Sequence, residues 1–167
     1  MKRRVRTPIA AGERIYSRWD YQRFFSLRCA DFAQPDVSHV GGIMEVKKIA
    51  AQAEANHIAI CPHNPSGPVA NAANLQLAAC VPNFTVLETM SADVPHRKVI
   101  STEKIIFRDG RMTIPDLPGL GIDLVEEAIA EHPFEPRELR HYTGNLTDIR
   151  PSDAGHYFEQ ENKSTKG

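Results

Sequence analysis

Cysteine is scarce: Cys29, Cys61 and Cys80 are the three present in 167 residues. An odd number, at spacings that fit neither a zinc site nor a CxxC pair, excludes a disulfide framework. Reduced thiols and a cytoplasmic location are the expectation. Long hydrophobic runs are missing as well, and nothing approaches the ~20 residues that cross a bilayer. The first six residues are basic, but no apolar stretch follows them, so a signal peptide is not expected. Charge of one sign is lacking: 20 Lys and Arg stand against 21 Asp and Glu, a net −1. General affinity for nucleic acid or an anionic membrane is therefore not expected. No repeat unit recurs in the sequence, which excludes a solenoid.

What the chain does contain is a rhythm. The run His57–Ile60 is apolar and leads into Cys61-Pro62-His63-Asn64-Pro65-Ser66-Gly67-Pro68, after which an alanine-rich helical pattern begins. This reads as strand, loop and helix, with a histidine where the strand stops. Three further stretches have the same design. Thr7–Gly12 leads to Glu13, Phe32–Pro35 to Asp36, and Phe84–Leu87 to Glu88. The four ionisable residues lie 23, 27 and 25 positions apart. A strand, a helix and two short loops occupy about that length, and such crossovers make successive strands parallel. Four acid–base side chains at one end of four parallel strands is how a (β/α) barrel builds an active site.

The helices between them have clear signals. Ser17 is placed to cap a helix through Trp19, Phe24 and Phe25. The loop 37–42 ends in Gly41-Gly42, and Ile43, Val46, Ile49, Ala50 and Ala53 then fall on one helical face up to about Asn56. A third helix spans about Val69–Cys80 and is broken by Val81-Pro82-Asn83. After Met90 the rhythm stops. Lys104–Ile114 reads as a hairpin about Asp109-Gly110, Pro118–Asp123 as a tight loop, and Leu124–Glu131 as a short helix. These signals divide the chain into a half barrel (1–92), a return segment (93–132) and a polar, proline-punctuated tail (133–167) expected to be mobile. A complete barrel needs about 250 residues, more than this chain has.

The motifs Thr7–Arg14, Gln34–Ile43, Pro62–Pro68 and Pro118–Ile122, in this order and spacing, resemble the enolase superfamily. Within it they are most similar to the mandelate racemase group and its acid-sugar dehydratases, over residues 7–132. The resemblance implies an α/β fold: the C-terminal half of a TIM-type barrel, four parallel strand–helix units, then a hairpin and short helix of the capping region. It implies Glu13 as the third carboxylate ligand of a Mg²⁺. It implies Asp36 and His63 as a catalytic pair, with His63 the acid/base, and Glu88 near the substrate carboxylate. Two further metal carboxylates of the family, on barrel strands three and four, have no counterpart here. A shortened reading frame or a split gene is the corresponding expectation, with an isolated chain that is inactive.

The chemistry suits these residues. A proton next to a carboxylate is very weakly acidic, because its removal leaves a doubly negative enediolate. A divalent cation stabilises that charge as it forms, and Mg²⁺ takes oxygen ligands in near-octahedral geometry. A base that titrates near neutral pH points to histidine. A carboxylate on one ring nitrogen fixes its tautomer. The expected product is a 2-keto-3-deoxy sugar acid made by a hydro-lyase, with a homo-oligomer or a complementing N-terminal half as partner. The alternatives are a non-catalytic remnant or interaction half barrel, and a racemase of the same superfamily. Each residue also has a plainer reading: Glu13-Arg14 as a solvated pair, Asp36 as an Asx-turn, His63 as an unpartnered loop histidine, Glu88 as an exposed loop residue. His39 reads as a donor supporting the site or as a buried, satisfied histidine, and the second is the preferred expectation. Arg14, Tyr16 and Trp19 are as suited to core or surface packing as to touching a sugar.

Overall fold

The computed structural model describes residues 5–90, 92–93, 95–102, 105–134, 155–156 and 159–160. It divides into two compact units, 1–89 and 90–167.

In the first unit, β1 (Ala10–Ala11), β2 (Phe32–Ala33) and β3 (Ala59–Ile60) form a parallel sheet in that order, Ala10 opposite Phe32 and Phe32 opposite Ala59. Helices α1 (Arg18–Ser26), α2 (Ile43–Ala55) and α3 (Pro68–Cys80) follow the three strands in turn. The fourth expected strand is present as an edge segment rather than a full ladder. Phe84 pairs in parallel with Ile60, Ile60 N–H donates to Asn83 O (2.8 Å), and Thr85 N–H donates to Ile60 O (2.9 Å). The regular ladders are only two residues long because proline interrupts each segment. Pro8, Pro35, Pro62 and Pro82 have no N–H to donate, and Pro35 and Pro62 stand two residues beyond β2 and β3. Beyond the prolines the parallel pairing resumes at a single pair, Asp36 opposite His63.

The helices form as their sequences dictate. Ser17 Oγ accepts the Asp20 N–H and caps α1. Val46, Ile49, Ala50 and Ala53 of α2 are buried as one stripe. Two helices end in Schellman-type turns: Ile58 N–H reaches Ala53 O (2.9 Å) after α2, and Cys29 N–H reaches Phe24 O (3.4 Å) after α1. The left-handed residues in those turns are His57 (φ 57°) and Arg28 (φ 46°). Helix α3 starts at Pro68, where a missing N–H costs nothing. Its alanines and leucines are largely buried, so it packs closely. The core joins these helices to Tyr21, Phe25, Ala33 and Ile60, all fully buried. Arg18 of α1 makes a two-pronged ion pair with Glu45 of α2, both bonds at 2.9 Å. The hydrogen bond from Lys48, and then Arg18, holds the Glu45 carboxyl below its ordinary range.

In the second unit, β5 (Ile106–Arg108) and β6 (Arg111–Met112) form the expected antiparallel hairpin. Asp109 (φ 49°) and Gly110 (φ 75°) both have positive φ, as a type I′ turn requires. Short strand β4 (Ala92–Asp93) pairs antiparallel with β7 (Gly155–His156), and β8 (Glu159–Gln160) lies parallel to β5. Helix α4 is Glu126–Ala130. The tail expected over 133–167 falls mostly outside the described residues. Among the described residues no helix is long and apolar enough to cross a membrane.

Candidate active site

The loops that leave the carboxyl ends of β1, β2 and β3 bring Glu13, Asp36 and His63 together. Asp36 is 1% exposed. Its Oδ2 lies 2.9 Å from His63 Nδ1, and its Oδ1 accepts the Ser38 N–H at 2.8 Å. It is thus both an Asx-turn and the partner of an imidazole. With Nδ1 facing the carboxylate, His63 turns Nε2 toward Glu13, whose Oε2 stands 4.0 Å away. The His63 side chain is 17% exposed and that of Glu13 47%, so the pair opens from a buried carboxylate to an accessible mouth. Burial of an acid is tolerable when its oxygens are bonded, and both Asp36 oxygens are.

The loop carrying Glu13 is held from below. Gly12 has φ 125°, and a β-carbon there would come 2.9 Å from the Tyr21 hydroxyl, so only glycine fits. Tyr21 OH donates to Gly12 O at 2.8 Å, and Ile15 N–H closes the turn onto the same oxygen at 2.9 Å. Burial, together with the Asp36 charge, pushes the Tyr21 phenol well above its ordinary range, which keeps it a donor. Glu13 Oε1 lies 3.5 Å from Arg14 Nε, an exposed contact.

Glu88 ends the fourth segment and accepts a hydrogen bond from Gln34 Nε2 at 3.3 Å. Cys61 lies in the same region. Burial and the Glu88 charge push its thiol up, so it is a poor nucleophile. His39 is not the buried histidine expected. It is exposed, because Asp36 O takes its backbone N–H (3.0 Å) and turns the loop outward. Its Nδ1 lies 3.3 Å from Glu13 O and 3.7 Å from Asp36 Oδ2. Its ring stands between Tyr16 (5.7 Å) and His63 (6.3 Å). Trp19 is 70% exposed and lies under the Arg18 guanidinium.

Glu13 is an accessible carboxylate suited to Mg²⁺, but it is one ligand. Asp36 is committed to His63 and the Ser38 N–H, while Glu88 is exposed and its Oε2 takes one hydrogen bond, 3.3 Å, from Gln34. Among the described residues no group of three or more His, Cys, Asp or Glu side chains could hold a metal. The donors among the described residues therefore fit one corner of an octahedral site, not the whole of it.

Residues 1–128 match the family model described as enolase C-terminal domain-like. D-galactonate dehydratase of Pectobacterium atrosepticum is 41% identical over 131 residues, 74% of this chain and 34% of that protein. D-xylonate dehydratase of Haloferax volcanii is 35% identical over 133 residues, 80% of this chain and 32% of that protein. A Burkholderia xenovorans structure bound to magnesium and fumarate superposes with TM-score 0.75 at 33% identity, covering 79% of this chain and 33% of that one. The chain thus spans about a third of the length of the curated relatives it matches. Its parallel strands and intervening helices are part of a TIM barrel. The chain belongs to the enolase C-terminal domain-like family, in the mandelate racemase group of the enolase superfamily.

Proposed function

We propose that this chain supplies the proton-transfer half of a Mg²⁺-dependent acid-sugar dehydratase. The observation that carries the reading is the buried Asp36 carboxylate on His63 Nδ1, which leaves Nε2 at a mouth shared with Glu13. His63 Nε2 takes the proton from C2 of the sugar acid, the electron pair moving into the C1–C2 bond of an enediolate. Asp36 keeps the ring oriented throughout. The C3–O bond then breaks as the hydroxyl receives a proton, from the His63 imidazolium or from an acid on the complementing half, and leaves as water, and the enol tautomerises to a 2-keto-3-deoxy acid. Glu88, fixed by Gln34, borders the substrate end of the site. A divalent cation at Glu13, completed by ligands from outside the described residues, would supply charge stabilisation for the substrate carboxylate. The isolated chain, with one metal carboxylate, is inactive in this reading. Relatives named for D-galactonate and D-xylonate support a sugar acid as substrate.

The test joins this chain to the part of the Pectobacterium dehydratase that it does not cover. The assembled protein, with Mg²⁺, is expected to convert D-galactonate to its 2-keto-3-deoxy product. His63→Asn is expected to reduce the rate by about 10²–10⁴-fold, the contribution of a positioned general base. No turnover by the wild-type assembly, or turnover unchanged in His63→Asn, overturns the reading.

A further inference from the structure

We infer that Asn71 is a positioning residue whose side-chain oxygen clamps the His63 loop to the Glu88 segment. Asn71 is fully buried in the first turns of α3, whose other buried positions are Pro68, Ala70, Ala72, Ala73, Leu75, Leu77 and a second asparagine, Asn74, bonded to Ala70 O of its own helix. An alanine there would satisfy helix propensity and packing better, so the amide has another use. Its Oδ1 accepts two hydrogen bonds, from Asn64 Nδ2 and from Thr89 Oγ1, the second at 3.2 Å. Asn64 directly follows His63, and Thr89 directly follows Glu88. One oxygen therefore ties together the residues next to the two groups to which the proposed function gives proton transfer and the border of the substrate end of the site. The inference rests on that reading only in naming those groups.

The backbone alone joins these segments weakly at this level. Pro62 and Pro65 flank His63-Asn64 and have no N–H to donate. The backbone bond between the segments here is Glu88 N–H to Pro62 O, long at 3.3 Å. The amide clamp stands where the ladder is thin. It also has a cost that stability alone does not explain. Asn64 Oδ1 and Asn71 Nδ2 are buried and have no hydrogen-bond partner among the described residues. Buried polar atoms left unpaired destabilise a fold. Placement of the two segments, rather than cohesion, is what the arrangement provides.

The test uses the full chain, labelled for NMR, and needs neither metal nor turnover. In Thr89→Val and in Asn71→Leu, both close in shape to the native residue, solvent exchange of the Glu88 amide and of the His63 Nδ1–H is expected to speed up about tenfold, the effect of roughly one lost hydrogen bond. The Ile49 and Ala53 amides of α2 should keep their protection. Thr89→Ser, which retains the hydroxyl, should behave as wild type. Unchanged exchange at both sites in Thr89→Val overturns the inference, as does an equal loss of protection throughout α2, which would mark a merely structural role. Should Asn71→Leu fail to fold, Thr89→Val and Thr89→Ser decide the matter alone. Failure of the dehydratase reading would leave this result standing, and the reverse.

Discussion

Tyr21 shows how a buried side chain sets the position of an exposed one. Its hydroxyl binds Gly12 O, one residue before Glu13, while Gly12 takes a φ that only glycine adopts freely. Replacing Tyr21 with Phe removes one buried hydrogen bond and should cost about 0.5–1.5 kcal/mol at neutral pH. The pH dependence has a definite sign. Burial raises the phenol above its ordinary value of 10 in the folded state, so folding favours the protonated form. That stability is complete below pH 10 and is lost as pH rises beyond it. Urea melts at pH 7 and above pH 10 should show the wild type losing its advantage over Tyr21→Phe at the higher pH. A gap that is constant with pH would contradict this. Glu13, Asp36 and His63 were legible in the sequence because each follows an apolar run at crossover spacing. Tyr21 and Asn71 were not, because their partners lie 7 to 18 residues away and only folding brings them near. For His39 the buried reading was preferred over the donor reading; the turn at Asp36 sends the ring outward, where Nδ1 lies 3.3 Å from Glu13 O.

The first three helices were readable almost to the residue, α4 is shorter at both ends than the expected Leu124–Glu131, and the strands were not readable in this way. Helix α2 follows from a stripe of four buried positions, and the Ser17 cap from a residue type that competes well for free N–H groups. The strands were expected as continuous apolar runs, yet their ladders are two residues long. Pattern alone does not show that a proline-interrupted run pairs through scattered bonds such as Thr85 N–H to Ile60 O. The end of α2 gives a prediction. His57 occupies a left-handed conformation that costs a side-chain-bearing residue about 1–2 kcal/mol. His57→Gly removes that strain, partly offset by about 0.5–1 kcal/mol of added unfolded-chain entropy. Thermal melts should place the variant at or slightly above wild type, and a clear fall would show that the imidazole has a stabilising contact of its own.

The chain covers about a third of its relatives, and the first unit presents sheet edges. Among the described residues no strand pairs with the outer side of β1 or of segment 83–88. Open edges invite pairing with another chain. Sizing chromatography of the 18.6 kDa chain should show concentration-dependent association, suppressed when the complementing barrel strands are supplied. A monomer at all concentrations would contradict this. The barrel architecture was legible because the strand–helix rhythm and four motifs agree. For the metal site the resemblance implied one carboxylate in this chain, Glu13, and no counterpart of the other two. Whether Asp36 and His63 form the proton-transfer unit is decided most directly by α-proton exchange. The assembled protein, incubated with D-galactonate and Mg²⁺ in deuterated water, should introduce deuterium at C2 of substrate or at C3 of product, and His63→Asn should abolish this. Deuterium incorporated at the wild-type rate by His63→Asn would contradict the account.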